Sequence, residues 1–282
     1  MDTVPFNFCM SVCDAIRYAH ETIEFENAAW NIGFDQIDDR LYYELTICEV
    51  NGKWKHGFQY DEEYISIEEL ARLPEFKNVR LSSITLSNGD DDITHLKPME
   101  MELEKFFNFL ASISYDPDLL INKNFVPNEE IAKNLTKMNY EDVDIRAYSS
   151  VYDQLIETYV TQSRKNEDRN LRLLSKTWSS ESLEKVHKLA LLDNVRYVTI
   201  RGNGSTPFNN HVFGPILETW FGPEMLERFE GQKIESFFPK GSEVALGQNT
   251  FYSTKRYDSR DVDLQMDVVD GTWQFYYRHL FD

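Results

Sequence analysis

Residues 170–204, "NLRLLSKTWSSESLEKVHKLALLDNVRYVTIRGNG", place a helix between two strands. Segments 170–178 and 194–204 are short and rich in Leu, Val, Ile and Tyr, as strands are. Between them Leu183, Val186 and Ala190 recur at helical spacing and predict the inward face of a helix. Parallel strands need a long crossover of this kind. The stretch therefore predicts an α/β fold.

The same alternation extends to both sides of this stretch. Residues 142–149 predict a strand, and residues 151–162 predict a helix with Ser150 as its N-cap. A further helix is predicted after Gly214, and a further strand near Ile234. The side chains of helix 151–162 predicted to face inward are Leu155, Ile156, Tyr159 and Val160.

The strand–helix units have a nearly constant length. Strands that begin near Val143, Leu171 and Val195 are separated by about 28 and about 24 residues, close to one leucine-rich-repeat unit. Residues 78–89 and 194–204 also resemble each other. The Asn/Cys ladder of standard leucine-rich repeats is absent, and a flat α/β or mixed sheet with ordinary helical crossovers is the alternative. The favoured fold is α/β with repeat-like (leucine-rich-repeat-like) units.

Antiparallel hairpins flank these units. In residues 41–60, apolar residues alternate on both sides of Asn51 and Gly52, a pair that favours a two-residue turn because both positions adopt positive φ. Residues 262–277 alternate in the same way around Asp270 and Gly271. A third strand is predicted near Tyr252 and Tyr257. We expect this C-terminal antiparallel cap to cover an open sheet edge.

The intervening chain has weaker patterns. Ser66 and Glu69 form a capping box that predicts a short helix through about Leu73, and residues 79–86 predict a strand with a slip in its alternation. A long irregular connection is predicted for 115–139, although residues 128–135 have the pattern of one or two helical turns. The helix predicted after Pro98 has a buried stripe of Leu103, Phe106, Phe107 and Leu110.

Composition restricts the classes of function. The 282-residue chain has a net charge of -19, which argues against sequence-independent nucleic-acid binding and against an anionic membrane surface. No apolar run approaches the roughly 20 residues of a membrane span. The three cysteines, Cys9, Cys13 and Cys48, predict buried free thiols rather than disulfides or a metal site. We expect an intracellular protein, cytoplasmic or nuclear.

No motif with catalytic chemistry stands out. Gly202–Ser205 lacks the third glycine and the helix start of a dinucleotide loop and is interpreted as a turn. Residues 88–92 have the spacing of a calcium loop, but Met99 stands at the twelfth position where Glu belongs. The expectation is no enzyme, no cofactor and no metal; an enzyme whose site is assembled from distant loops is the remaining catalytic alternative.

The N-terminal stretch 4–16, "VPFNFCMSVCDAI", predicts an amphipathic helix. Phe8, Val12 and Ile16 lie on one helical face, and Pro5 precedes them where proline is tolerated. Each such side chain contributes about 1.5–3 kcal/mol when buried. That stripe either seals the chain's own core or packs on a second protein.

These residues resemble an F-box. That family begins with a Leu-Pro-like pair, here Val4 and Pro5, and continues with helix-spaced aliphatics and a downstream Trp, here Trp30. More narrowly, the first 60 residues resemble a nematode-expanded group of F-box-like and F-box-associated proteins. The resemblance implies that a Skp-type adaptor of a cullin ubiquitin ligase contacts Val4, Pro5, Phe8, Val12 and Ile16.

Two departures qualify this resemblance. The interval from Pro5 to Trp30 is shorter than in a full F-box, and a hairpin begins by Leu41. The predicted domains are therefore a degenerate F-box-like helical element, 1–38, and an α/β interaction domain, 39–282. The expected function is non-catalytic protein binding, as a substrate receptor in ubiquitin ligation. The alternative is an acidic binding, inhibitor or antidote protein without a ligase link.

Overall fold

The computed structural model describes residues 40–88, 94–162, 169–175, 178–190, 195–203, 250–257, 260–269 and 272–279. These ranges contain five α-helices: α1 (Ile67–Leu70), α2 (Leu103–Ile113), α3 (Glu129–Leu135), α4 (Asp153–Gln162) and α5 (Ser180–Ala190). They also contain twelve strands: β1 (Leu41–Val50), β2 (Lys53–Tyr60), β3 (Glu63–Ile65), β4 (Val79–Ser87), β5 (Lys97–Pro98), β6 (Ser114–Ile121), β7 (Val143–Ile145), β8 (Asn170–Ser175), β9 (Tyr197–Asn203), β10 (Thr250–Tyr257), β11 (Arg260–Val269) and β12 (Thr272–His279).

These strands form one mixed sheet. Its centre is a parallel run in which β1, β4, β6, β7, β8 and β9 lie side by side in chain order. Antiparallel strands extend both edges, with β2, β3 and β5 beyond β1 and with β12, β11 and β10 beyond β9. The α/β prediction is therefore confirmed as a mixed sheet, and the C-terminal strands do cover the edge of β9.

Apolar side chains on one face of the parallel run form the core. Two rows cross the strands in register, and all their members are at most 1 % exposed. Helices α2 to α5 connect successive parallel strands, each helix touches the next, and their buried residues belong to the same cluster. The rows are Ile84, Leu119, Val143, Leu171 and Val198, and Leu86, Ile121, Ile145, Leu173 and Ile200.

The hairpin predicted at 41–60 is confirmed. β1 and β2 pair around Asn51 and Gly52, whose φ angles are 53° and 73°. A two-residue turn with positive φ at both positions matches the right-handed twist of the strands. The local sequence was sufficient here because the turn itself fixes the register.

The capping box at the start of α1 is also confirmed. The Ser66 hydroxyl accepts from the Glu69 N–H at 3.2 Å, and the Glu69 carboxylate accepts from the Ser66 N–H at 2.7 Å. The helix ends at Leu70, three residues before the predicted Leu73. The predicted stripe of α2 is confirmed, since its four residues are buried.

The irregular connection predicted for 115–139 is wrong, because β6 and α3 occupy much of it. Pro117 lies where the β4–β6 pairing shifts register, so its missing N–H does not break the ladder. Asn128 is not a loop residue but the N-cap of α3, and its side chain accepts from the Ile131 N–H at 3.1 Å. The one or two helical turns considered for residues 128–135 are confirmed as α3.

Smaller predictions are corrected or confirmed in the later units. Ser149, not Ser150, caps the short 3₁₀ turn before α4. Gly202 and Asn203 are not in a turn, because β9 continues through them and pairs with β12. The slip in β4 is confirmed as a register shift between Leu81 and Ser83. All four residues predicted to face inward from α4 are buried.

Candidate functional site

The parallel strands present a second, polar face opposite the core. Its central row follows the sheet register across seven strands. We call this row, together with its same-side neighbours Asp118, Arg146, Asn170, Leu174 and Arg201, the open face. The row consists of Thr46, Thr85, Leu120, Asp144, Arg172, Thr199 and Tyr276.

Side chains of the open face are half-buried or exposed, in contrast to the core rows. Parallel sheets usually have helices on both faces, because a βαβ crossover covers the sheet that it connects. Here the helices α2 to α5 form one layer, on the core side. Among the described elements, no helix packs on the open face.

Carboxylates lie at the beginning of the strands on this face. Asp142 accepts from the backbone N–H of Asn170 at 2.9 Å and from its side-chain amide at 2.8 and 2.9 Å. Partial desolvation, followed by the neighbouring charge of Asp142, raises the pKa of the Asp118 carboxyl. Asp142 thus links the start of β7 to β8 by hydrogen bonds, and its negative charge raises the pKa of Asp118 on β6.

Arginines lie further along the same strands. The Arg146 guanidinium binds the Asp144 carboxylate at 3.1 Å. Arg172 and Arg201 are exposed, on the neighbouring strands β8 and β9. The open face therefore carries acidic and basic side chains side by side, since Asp144 lies opposite Arg172 in the β7–β8 register.

A partly buried polar network supports the ends of these strands. The Tyr148 hydroxyl donates to Asp153 at 2.5 Å, and Lys185 binds the same carboxylate at 3.4 Å. Burial, followed by this hydrogen bond, raises the pKa of the Tyr148 phenol, which therefore stays protonated. The Tyr148 ring stacks on Trp178 at 4.4 Å. This network joins β7, α4 and α5, and its protonated phenol is a donor rather than a nucleophile.

His56 is a second buried polar group, on the core side of β2. Its ring lies 5.1 Å from that of Phe106, and its Nε2 accepts from the Ile67 N–H at 3.1 Å. Its Nδ1 is buried without a hydrogen-bond partner. Burial lowers the pKa of this imidazole. The alternation that placed Trp54 and Phe58 on one side of the strand already placed His56 with them, but nothing local predicted its partner.

The described ranges offer little for a metal or a small substrate. Within them, no three His, Cys, Asp or Glu side chains gather as a metal site. Cys48 is buried and outside any disulfide, as predicted. A shallow depression lies beside α4. The Tyr159 hydroxyl in it donates to the backbone oxygens of Glu141 and Asn170 at 2.8 and 3.1 Å. The depression is lined by Met138, Asn139, Tyr140, Leu155, Thr158, Tyr159, Gln162 and Arg169.

Several sequence-based predictions fall outside the described residues. They include the helical element 1–38, the cysteines Cys9 and Cys13, the helix and strand predicted within 204–249, and the turn at Asp270 and Gly271. The predicted adaptor-contacting residues Val4, Pro5, Phe8, Val12 and Ile16 belong to this group. No helix in the described part of the chain is long and apolar enough to cross a membrane.

Comparison with protein-family models, curated proteins and solved structures gives no match. The F-box resemblance remains a prediction from the N-terminal residues. The open face, whose central row crosses seven strands, is the candidate site that we take from the described chain. The sequence analysis did not predict it. The alternation of β8 and β9 was visible, but their register, which brings Arg172 beside Thr199, was not.

Proposed function

We propose that this chain is a non-catalytic protein-interaction protein whose open face binds its target. The observation that carries the proposal is that the described helices α2 to α5 lie on one face of a parallel run of six strands, while mostly polar side chains line the other face. Surfaces of this kind serve as extended binding sites in solenoid proteins. The Tyr159 hydroxyl of the described depression and the Tyr148 hydroxyl of the polar network are both engaged in structural hydrogen bonds.

The same arrangement supports the finer interpretation of the fold as a repeat-like, leucine-rich-repeat-like array. Its parallel strands follow chain order without a crossover past a neighbour, and consecutive helices touch one another. In a repeat array each unit contacts its neighbours in the same order. The antiparallel strands at both edges would then act as caps.

The F-box-like element supplies the second half of the proposal. Residues 1–38 would bind a Skp-type adaptor through Val4, Pro5, Phe8, Val12 and Ile16, and the open face would hold the protein to be ubiquitinated. The chain would then be a substrate receptor of a cullin-type ligase, in the cytoplasm or nucleus. This assignment rests on the resemblance and on the helical spacing of the stripe.

Adaptor binding by purified protein tests this assignment. The full chain is mixed with a purified Skp-type adaptor, and the complex is measured by size-exclusion chromatography and titration calorimetry. The double variant F8D/V12D places two charges in the stripe and is expected to abolish binding. Met10→Asp lies on the opposite side of the same predicted helix and is expected to retain it. Equal binding by all three proteins, or none by the wild type, contradicts the ligase assignment.

A second candidate is an inhibitor or antidote of a basic protein. The net charge of -19 favours it, since a strongly acidic chain attracts a basic partner over long range. Under this alternative, deletion of residues 1–38 leaves partner binding intact, and the affinity falls steeply as salt is added.

A further inference from the structure

Arg172 and Arg201 form a diagonal pair on the open face. In the β8–β9 register Arg172 lies opposite Thr199, and Arg201 follows two residues later on β9. Strands about 4.8 Å apart with a rise of about 3.3 Å per residue place the two β-carbons about 8 Å apart. The Thr199 side chain lies on the same side of β9, next to both arginines.

Neither guanidinium forms an ion pair within the described chain. Arg172 lies opposite Asp144 in the β7–β8 register, and its charge opposes the upward shift in the pKa of Asp118. Arg146 and Lys185 each bind a carboxylate, whereas the side chains of Arg172 and Arg201 make no ion pair and no hydrogen bond there. The chain contains 48 acidic and 29 basic residues, so carboxylates are abundant. Two adjacent arginines without an ion pair in the described chain therefore have guanidinium donors that a further carboxylate can bind.

The backbone beneath this pair is held in place. The indole N–H of Trp178 donates to the carbonyl oxygen of Arg201 at 3.0 Å, and β9 pairs with β8 on one side and β12 on the other. The two arginines therefore project from a fixed base. Fixed donors lose less conformational freedom on binding than donors on a loop.

We propose that the open face binds an extended, Asp- and Glu-rich segment of a partner protein through Arg172 and Arg201. In an extended chain, residues i and i+2 project from the same side, about 6.7 Å apart. That spacing lets two carboxylates of a Glu-x-Glu segment reach the two guanidinium groups, which bind carboxylates in a bidentate manner. The inference rests on the proposed protein-binding function and specifies the chemistry of the partner.

Defined peptides test this inference. A fluorescein-labelled (Glu-Ser)₄ peptide and a matching (Lys-Ser)₄ peptide are titrated against the full chain, and fluorescence anisotropy reports binding. Wild type is expected to prefer the Glu peptide despite its own net negative charge. The variant R172E/R201E is expected to lose at least tenfold in affinity for the Glu peptide and to gain affinity for the Lys peptide.

A matched variant controls for the change in net charge. R72E/K133E reverses two exposed charges away from the open face and changes the total charge by the same amount. It is expected to bind the Glu peptide as wild type does. R172Q/R201Q, with its melting temperature measured, separates lost binding from lost folding, because it is expected to melt within about 2 °C of wild type and still lose the Glu peptide.

Three results would overturn the inference: no preference of wild type for the Glu peptide, equal losses in the two charge-reversed variants, or unchanged binding by R172Q/R201Q. None of these results bears on the adaptor assay, since that assay depends on residues 1–38. A failure of the acidic-segment inference is therefore distinguishable from a failure of the ligase assignment.

Discussion

The Nε2 of His56 accepts a hydrogen bond from the backbone N–H of Ile67 at 3.1 Å, which joins β2 to the first residue of α1. An imidazole can accept at Nε2 only in the neutral tautomer that carries its single proton on Nδ1. The ring is 1 % exposed and packs against Phe58 and Phe106. Protonation of Nε2 would break this bond and leave a positive charge at a helix N-terminus, where the helix dipole disfavours it.

This contact predicts a stability that depends on pH. Burial lowers the pKa of His56, while the charge of Glu68 opposes the shift. The unfolded chain therefore binds more protons between the lowered pKa and about 6.5, and the free energy of unfolding falls as pH falls through that window. Urea denaturation of wild type and His56→Gln at pH 7.5 and 5.0 measures this, and the wild type is expected to lose more on acidification.

The surface histidine His95 provides the control. It stacks on Tyr64 at 3.7 Å and is only half-buried. His95→Gln is expected to leave the pH dependence of unfolding as in wild type. If His56→Gln and wild type lose the same free energy between the two pH values, His56 does not contribute to the acid sensitivity.

Substitution of Gly57 by a residue with a β-carbon is expected to cause a steric clash. A β-carbon at this position would lie 2.8 Å from Leu96 and 3.0 Å from Tyr64, closer than packed atoms approach. Because Leu96 is 4 % exposed, it has little room to move. Gly57→Ala is expected to lower the free energy of unfolding by about 1–3 kcal/mol, as overpacking of a core does.

A double-mutant cycle separates this clash from a backbone effect. Leu96→Ala removes the nearest atom. The loss of unfolding free energy in G57A/L96A is therefore expected to be smaller than the sum of the losses in the two single variants, by at least about 0.5 kcal/mol. Gly52→Ala is the comparison, because Gly52 has φ +73° and open space around it. It is expected to cost about 1 kcal/mol with no coupling to Leu96. Additivity in the Gly57 cycle would show that the crowding is relieved elsewhere.

The contribution of one Trp178 hydrogen bond to the free energy of unfolding can be measured separately from that of its ring stack. Trp178→Phe keeps an aromatic ring for the stack on Tyr148 but removes the indole N–H that donates to the carbonyl oxygen of Arg201. The expected loss is about 0.5–1.5 kcal/mol of unfolding free energy. Chemical denaturation measures it, and Tyr148→Phe, which keeps the stack and removes the bond to Asp153, provides a comparison of similar volume.

Local patterns in the sequence predicted the parts of the fold that local interactions determine. The hairpin at Asn51 and Gly52 and the capping box at Ser66 were predictable because each is specified by residues within four positions. The core rows were predictable as apolar strands. The connection at 115–139 was not, because proline and asparagine occur in loops as well as in bulges and helix caps. The pairing of β6 with β4 shows the role of Pro117, and helix α3 shows that of Asn128.

The candidate site depends on information that a single strand does not contain. The spacing of Arg172 and Arg201 follows from the register of β8 on β9, which is set by how the core residues Leu171 and Val198 align. The alternation within each strand identifies which side chains share a face. It does not show which strand lies beside which, nor on which face of the sheet the described helices α2 to α5 pack.

Asp142 and Asn170 give the last prediction, which concerns charge at the starts of the strands. Three hydrogen bonds of 2.8 to 2.9 Å run from Asn170 to the Asp142 carboxylate. Asn170→Asp replaces the amide with a carboxyl of the same shape and places a like charge against Asp142, with Asp118 nearby. The variant is expected to lose about 2 kcal/mol of unfolding free energy at pH 7.

The loss is expected to shrink as pH falls, because the introduced carboxyl has a pKa raised above its unfolded value of about 3.9 and binds a proton first in the folded state. Unfolding of wild type and Asn170→Asp at pH 7.0 and 4.5 measures the difference at each pH. The double variant N170D/D142N removes the repulsion and is expected to regain most of the lost stability at pH 7. A loss that is equal at both pH values would mean that the defect is one of hydrogen bonding or packing rather than of charge.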